Sequence, residues 1–391
     1  MKSLKNSLLN IFLILGSIYL PLFFYSVYHL KFNYPEKMLI YLKRRVNEDL
    51  NLKLKALKEG KKPIYYPGLS RELTSNFEVY PIGSLPNQES FCCNEGYGLI
   101  EHKTDRFGLR NDDNVWNKIL NEKNIFFIGD SFTYGECVSN NETIPSLVSS
   151  FSGIQSINLG MGGNTPFEYE ALLKNVVNPL LEKSKTDQFV IMTFNYSDNI
   201  PKNLDIRNHI EESNQIIHID EKNNVKPTKE YSKTISKLIH ENYPNTKLGR
   251  IRSLRFEIFK NTKVYNSLTL VPIRNYIDVL SRKFINFSQQ KTNNYSFPAA
   301  ESIEYLSNIC KANCKSAIVY IPPYDFFDKE FEKFLKNKAE SKKIKFISAS
   351  KIIKTFNKPD FAPKGRHLSI NGYKKVSELI YEELIKNKNY L

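Results

Sequence analysis

Residues 124–136 read NIFFIGDSFTYGE, and this stretch predicts the centre of the fold. Its apolar run, residues 125–128, ends in Gly129-Asp130, a pattern typical of a strand that is buried on both faces of a sheet. Ser131 follows immediately, at the point where a tight turn from strand to helix exposes a side chain. The stretch therefore predicts a buried strand that presents a serine at its carboxyl end.

Four later runs have the same apolar character and also predict buried strands. They read IQSINLG at 154–160, DQFVIMTF at 187–194, SAIVYIP at 316–322 and KIKFISA at 343–349. Segments with helical character, 143–150 and 167–181, separate the first three strands. Strands that alternate with helices form a mostly parallel sheet covered by helices on both faces. We therefore expect an α/β fold with three layers, helix, sheet and helix, of the flavodoxin-like kind.

The pattern changes between residues 201 and 298, which are polar, basic and too long for a simple loop. We interpret this stretch as a helical insertion within a domain that covers 63–391. A charged, amphipathic neck at 31–62 precedes the domain, and an N-terminal anchor at 1–30 precedes the neck. The sequence thus predicts one α/β domain behind a short stalk.

The segment from Leu8 to Leu30 carries no formal charge and is long enough to cross a bilayer as a helix. No small-residue cleavage site follows it, so we expect an uncleaved transmembrane anchor and a single-pass membrane protein. More lysines and arginines follow the segment than precede it, which by the positive-inside rule would leave the domain cytoplasmic. The chemistry inferred below favours the extracytoplasmic side instead, and the two indications conflict.

Composition excludes some classes of partner. The net charge is +15, but the lysines are spread along the chain and no basic motif with interleaved aromatic residues occurs, so we expect no nucleic acid partner. The five cysteines form no CxxC pair, and we expect no metal and no cofactor. Cys310 and Cys314 would pair in an oxidising compartment, although two small buried hydrophobic residues is the favoured interpretation. We interpret Glu136 and Cys137 as turn and packing residues.

A serine becomes a nucleophile only beside a base and near donors that stabilise an oxyanion. Gly129-Asp130-Ser131-Phe132 resembles the first block of the GDSL/SGNH hydrolases, and residues 158–165, NLGMGGNT, resemble their second block. The residues 104–110, TDRFGLR, resemble a lead-in found in anchored relatives. The resemblance implies Ser131 as nucleophile and the N–H groups of Ser131 and Gly163 as oxyanion donors.

The third and last blocks depart from the family pattern. Where the family has Gly-Asn-Asp, this chain reads FNYSDN at 194–199, so Ser197 stands at the place of the asparagine donor, and Asn195 or Asn199 is an alternative donor. In the last block His367 matches the catalytic base, but Lys364 and Gly365 occupy the positions of the usual acid. Asp360 is the nearest carboxylate, and we expect it to orient His367.

The resemblance implies a serine esterase that removes O-acyl groups from a cell-surface carbohydrate or lipid. Two alternatives stay open: an O-acyltransferase of envelope polysaccharide modification, and a binding domain whose catalytic power is weakened by the departures. Tyr324 and Asp325, which follow a predicted strand, are candidates for the pocket wall, although a plain turn is the favoured interpretation.

Overall fold

The computed structural model of this chain describes residues 16–25, 51–67, 79–199, 216–237, 298–324, 329–355 and 358–386. The chain divides into two units, one formed by 1–54 with 244–294 and one by 55–243 with 295–391. The second unit contains all the strands and site residues discussed below.

The N-terminal predictions are met only in part by the described residues. Residues 16–25 are helical, and the rest of the predicted anchor lies outside the described ranges. Among the residues that the structure describes, no helix is both long and apolar enough to cross a membrane. Residues 51–58 of the predicted neck are helical, as its amphipathic spacing indicates.

In the described part of the chain the strands are two to seven residues long and fall into three sheets. In chain order they are β1 (Lys62–Pro63), β2 (Glu89–Phe91), β3 (Glu101–Lys103), β4 (Asn124–Ile128), β5 (Gln155–Asn158), β6 (Gln188–Phe194), β7 (Ile217–Ile219), β8 (Val225–Pro227), β9 (Cys314–Tyr320) and β10 (Lys345–Ser348).

The helices of the second unit alternate with the main strands. They are α1 (Val115–Lys118), α2 (Ser131–Tyr134), α3 (Ile144–Ser152), α4 (Pro166–Leu172), α5 (Asn178–Lys183), α6 (Lys229–Lys237), α7 (Pro298–Asn313), α8 (Lys329–Ser341) and α9 (Ile370–Ile380). A π-helical turn, Leu173–Val177, joins α4 to α5, and a second one, Tyr381–Lys386, extends α9.

The central sheet has five parallel strands in the order β10-β9-β6-β4-β5, and it confirms the predicted α/β fold. Side chains alternate between two cores, so that Ile125 and Phe127 of β4 face one cluster while Phe126 and Ile128 face the other. Helices α3 and α9 cover the first face, and α4, α7 and α8 cover the second. The chain thus forms the three expected layers.

The strand order reverses between β4 and β6, because the connection after β4 leads outward to β5 and the chain then returns to the far side of β4. Open α/β sheets bind ligands outside the carboxyl ends of the strands at such a switch point. Ser131 follows β4 and Asn195 follows β6, so the topology brings both to this crevice.

The predicted helical insertion contains strands as well as a helix. Its described part, 216–237, forms a β7-β8 hairpin followed by α6, and the rest lies outside the described ranges. Tyr231 of α6 is buried and donates its hydroxyl to the carbonyl of Phe107 at 2.9 Å. This part of the insertion therefore packs into the main core.

Candidate active site

Ser131 lies at the start of a one-turn helix directly after the central strand β4. Asp130 caps this helix by accepting the N–H of Phe132 at 3.0 Å, and Gly135 ends it in the left-handed conformation. A β-carbon on Gly129 would overlap the hydroxyl groups of Thr133 and Thr193, which are themselves hydrogen-bonded, so glycine is required there. As the first residue of the helix, Ser131 has an N–H group without an intrahelical acceptor.

Arg110, the last residue of the TDRFGLR segment, fixes the far end of this turn. Its buried guanidinium donates to the carbonyls of Gly135 at 2.7 Å and Val138 at 2.6 Å, and to the Asn140 side chain at 2.8 Å. The carbonyls at the end of a helix need such donors when water cannot reach them. The segment that precedes the serine block thus holds the serine turn in place.

Replacing Arg110 by methionine should therefore lower the free energy of unfolding by about 3 kcal/mol, because buried carbonyls lose their donors. Guanidinium unfolding of the two proteins measures the loss. Lys118→Met is the control: the Lys118 side chain is 63% exposed and its ammonium lies 3.8 Å from Glu122, so a smaller loss is expected. Equal losses in the two variants would contradict the assigned role of Arg110.

The structure brings Ser131 and His367 together. Nε2 of His367 lies 2.9 Å from Oγ of Ser131, within hydrogen-bond distance. On the other side of the ring, Nδ1 lies 3.0 Å from Oε1 of Glu95, and the backbone N–H of His367 donates to Oε2 of Glu95 at 3.3 Å. The three side chains form a continuous hydrogen-bonded chain from hydroxyl to imidazole to carboxylate.

Asp360 does not orient His367, and that prediction is wrong. Its buried carboxylate accepts from Lys375 at 2.6 Å and from the backbone N–H of Lys354 at 3.3 Å. The reason lies in the backbone: Phe361 and Leu368 form an antiparallel bridge, and the carbonyl of Asp360 accepts from Ser369. Asp360 thus sits at the base of the loop that carries His367.

Glu95 fills the place that the usual acid of the last block would take. A β-carbon built on Gly365 would overlap the carboxyl carbon of Glu95, so glycine at 365 is what admits this side chain. The backbone N–H of Lys364 also donates to the carbonyl of Glu95 at 2.9 Å. A glycine at the position of the missing acid is the signal in the sequence, although it does not identify the residue that replaces the acid.

Glu95 and His367 shift each other's pKa. Burial raises the pKa of Glu95, but the hydrogen bond and charge of His367 outweigh it, and the pKa lies below its usual value. Burial lowers the pKa of His367, but the hydrogen bond to Glu95 and the charges of Glu95, Glu136 and Asp130 outweigh it, and the pKa is raised. Each of the two groups therefore stabilises the charged form of the other.

Two of the predicted side-chain donors of the third block turn toward Asp130. Nδ2 of Asn195 donates to Oδ2 of Asp130 at 2.6 Å, and the hydroxyl of Ser197 lies 3.2 Å from the same oxygen. The side-chain oxygen Oδ1 of Asn195 in turn accepts from the N–H of Ser197 at 2.8 Å. These groups support the residue next to the nucleophile, and their role as oxyanion donors stays a prediction.

Gly163 lies in the loop after β5, the neighbour of β4, and has a φ of 80°. The backbone of this loop is tied to the serine turn, because the N–H of Met161 donates to the carbonyl of Gly129 at 3.3 Å. The loop thus starts at the same edge of the sheet as Ser131. An oxyanion role for the N–H of Gly163 stays a prediction.

The cysteines pair in a way that the sequence analysis missed. Cys93 and Cys137 form one disulfide, so Cys137 is more than a packing residue. Cys310 and Cys314 form a second, so the interpretation of them as unpaired hydrophobic residues is wrong. Cys92 is the free cysteine.

Two groups of side chains bring possible metal-ligating atoms within 4.8 Å of one another: Cys92, Cys93 and Glu136, and Glu95, Cys137 and His367. In this structure the Cys93–Cys137 disulfide removes a thiolate from each group. His367 and Glu95 are also bonded to each other. Neither group therefore presents a complete ligand set in the disulfide form.

Tyr324, a candidate for the pocket wall, packs edge-on against Phe361 with ring centroids 5.1 Å apart. Asp325 lies outside the described residues. Tyr324 thus contacts the loop that carries His367.

No family model and no curated protein matches this chain. The solved structures that are similar to it include three with family names. One is a protein assigned to the lipolytic G-D-S-L family from Desulfitobacterium hafniense DCB-2, with 14% identity over 66% of this chain and 98% of that chain and a TM-score of 0.33. Another is assigned to the SGNH hydrolases and comes from Slackia heliotrinireducens, with 12% identity over 67% of this chain and 98% of that chain and a TM-score of 0.32. The third is a member of the lipolytic protein G-D-S-L family from Veillonella parvula DSM 2008, with 13% identity over 67% of this chain and 97% of that chain and a TM-score of 0.31.

These three proteins are assigned to the family whose sequence blocks this chain resembles. The parallel sheet of this chain defines its fold, and the side chains at the edge of that sheet define the candidate site. A serine, a histidine and a carboxylate in hydrogen-bonded series are the arrangement by which serine hydrolases are recognised, whatever their order in the sequence.

Proposed function

We propose that this chain is a serine ester hydrolase of the SGNH type, with Ser131 as nucleophile, His367 as base and Glu95 as the acid that orients the base. The observation that carries the proposal is the series of contacts from Ser131 to His367 and Glu95, 2.9 Å and 3.0 Å long. With Glu95 in this place, the departure of the last block no longer argues for a weakened domain.

In the proposed reaction Oγ of Ser131 attacks the acyl carbonyl while Nε2 of His367 accepts its proton. Glu95 accepts the Nδ1 proton in a hydrogen bond and stabilises the imidazolium. The N–H groups of Ser131 and Gly163 stabilise the oxyanion. The imidazolium then gives its proton to the leaving alcohol, and an acyl ester remains on Ser131. Water, deprotonated by His367, attacks this ester, and the imidazolium returns the proton to Oγ of Ser131 as the acid leaves.

The proposed substrate is an O-acyl ester of a cell-surface carbohydrate or lipid, and the proposed place of work is an oxidising compartment outside the cytoplasm. The two disulfides support this location, because disulfides persist mainly in such compartments. The net charge of +15 would favour an acidic polymer or an anionic lipid surface. We propose that residues 8–30 hold the domain at that surface.

A fluorophosphonate probe, which phosphonylates activated serines, tests the nucleophile without knowledge of the natural ester. The full chain should take up one probe molecule at Ser131, and both Ser131→Ala and His367→Ala should lose the labelling. Ser139→Ala, which removes an exposed serine eight positions further on, is the matched control and should label like the wild type. Labelling that persists in Ser131→Ala would overturn the proposal.

A further inference from the structure

Glu95 lies on a loop that connects two short strands outside the central sheet. The loop leaves β2 and returns in β3, and backbone hydrogen bonds between Cys92, Cys93 and Ile100 close its base at 3.0 and 3.1 Å. Within the loop, the side chain of Asn94 accepts from two backbone N–H groups, at 2.9 and 3.1 Å. These bonds shape the loop but do not attach it to the turn that carries the nucleophile.

Among the described residues, the noncovalent contacts of the Glu95 residue itself are with the His367 loop. They comprise the two bonds to His367, the Lys364 N–H donated to its carbonyl, and the packing of Gly96 against Pro363. A carboxylate that touches the imidazole from a separate loop must still keep its place while the serine turn stays aligned. Catalytic groups need such alignment within about half an ångström.

The Cys93–Cys137 disulfide supplies a covalent connection, next to the contact between the Cys92 sulfur and the backbone of Cys137. Cys93 is two residues before Glu95, and Cys137 is six residues after Ser131, directly beyond the one-turn helix. Cys137 is buried, with 1% of its surface exposed, and the backbone of this turn is clamped by Arg110. The disulfide thus joins the loop of the acid to the end of the nucleophile turn that Arg110 holds.

We propose that the Cys93–Cys137 disulfide is a positioning element of the active site, which holds Glu95 against His367 and makes activity depend on an oxidised state. This inference rests on the proposed function. Reduction adds two electrons and two protons and gives two thiols, and it leaves the acid loop attached by noncovalent contacts alone. The carboxylate then occupies its place beside Nδ1 for a smaller fraction of the time.

The second disulfide provides a matched control. Cys310 and Cys314 connect α7 to the first residue of β9, and Cys314 pairs with Gln188 at the start of β6. The active site lies at the other end of these seven-residue strands, about 20 Å away at 3.3 Å per residue. Removing this disulfide breaks a covalent link but changes no residue of the active site.

The experiment compares the full chain with Cys93→Ala/Cys137→Ala and with Cys310→Ala/Cys314→Ala, each with and without Glu95→Gln. The first measurement is kcat and KM for p-nitrophenyl acetate. The second is the pKa of His367, followed by NMR on histidine-labelled protein and assigned by its absence in His367→Ala. The chain has only six histidines, which makes the assignment practical.

We expect Cys93→Ala/Cys137→Ala to lower kcat about tenfold or more with KM unchanged, and to lower the pKa of His367 toward its value in Glu95→Gln. In the Glu95→Gln background the same change should cost nothing further, because the positioned group is already absent. Cys310→Ala/Cys314→Ala should leave both readouts unchanged. Equal losses from the two disulfides, or a further loss in the Glu95→Gln background, would overturn the inference.

A second measurement serves if the double variant does not fold. Cys310→Ala/Cys314→Ala retains a single disulfide, so a phosphine reductant, itself oxidised to the phosphine oxide, acts on Cys93–Cys137 alone. Activity should fall with reduction and return on reoxidation, while an unchanged rate in the fully reduced protein would overturn the inference. Absence of Ser131-dependent hydrolysis in the wild type would instead refute the proposed function, and the pKa of His367 would still test the positioning.

Discussion

Alanine in place of Ser131 is expected to lower kcat for p-nitrophenyl acetate hydrolysis by about 10⁴- to 10⁶-fold, the size typical of removing a catalytic serine. His367→Ala should cost a similar factor, because the hydroxyl 2.9 Å from Nε2 then has no base to accept its proton. The two residues act as one unit. The double variant should therefore be no slower than the worse of the single variants, as steady-state kinetics on all three will measure.

An unrelated histidine controls for general effects of the substitution. His218 is exposed on β7, and His218→Ala should retain the wild-type rate. Losses that multiply in the Ser131/His367 double variant would contradict a shared role, since independent contributions add in free energy and coupled ones do not.

The parts of the site that were predicted from the sequence are those encoded by neighbouring residues. The apolar run of β4 is buried along its whole length, and the serine that follows it must lie at the carboxyl edge of the sheet. His367 was predicted because its block, too, is short and local. The five main strands were predicted from equally local patterns, although β5 and β10 also contain polar, partly exposed residues.

Glu95 could not be predicted in this way, because it lies 272 residues from His367 in the chain. A search for the acid near the histidine instead selected Asp360, whose carboxylate bonds to Lys375. Only the fold shows that a loop between β2 and β3 reaches the histidine. Gly365 can be interpreted as the residue that makes room for the acid once Glu95 is known to fill that space.

The disulfide that ties this loop down was missed for a related reason. The pairing of Cys93 with Cys137 spans 44 residues, and no CxxC spacing announces it. Conversely, Cys310 and Cys314 are near neighbours in the sequence, yet composition alone favoured two buried hydrophobic residues. Whether Cys310 and Cys314 pair depends on where α7 ends and β9 begins. The residues between the two cysteines do not predict that boundary.

Glutamine in place of Glu95 should lower kcat about 10³-fold, because the amide no longer stabilises the imidazolium or fixes the ring with Nδ1 protonated. It should also move the acidic limb of the pH–rate profile to lower pH. The base must be neutral to act, and activity falls as the pH drops through the pKa of His367. Glu95, Glu136 and Asp130 all raise that pKa, and removing the Glu95 charge lowers it. The pH dependence of kcat/KM measures the shift.

The structure provides both a matched control and a second route to the same defect. Asp360→Asn removes the carboxylate nearest to His367 in the sequence, and the folded variant should keep the wild-type profile, because Asp360 bonds to Lys375 and not to the imidazole. Gly365→Ala should instead resemble Glu95→Gln, since the added methyl group occupies the space of the Glu95 carboxyl group. If Asp360→Asn moved the acidic limb and Glu95→Gln did not, the acid would have to be reassigned to Asp360. A Gly365→Ala variant with a normal profile would show that the carboxylate reaches Nδ1 by another path.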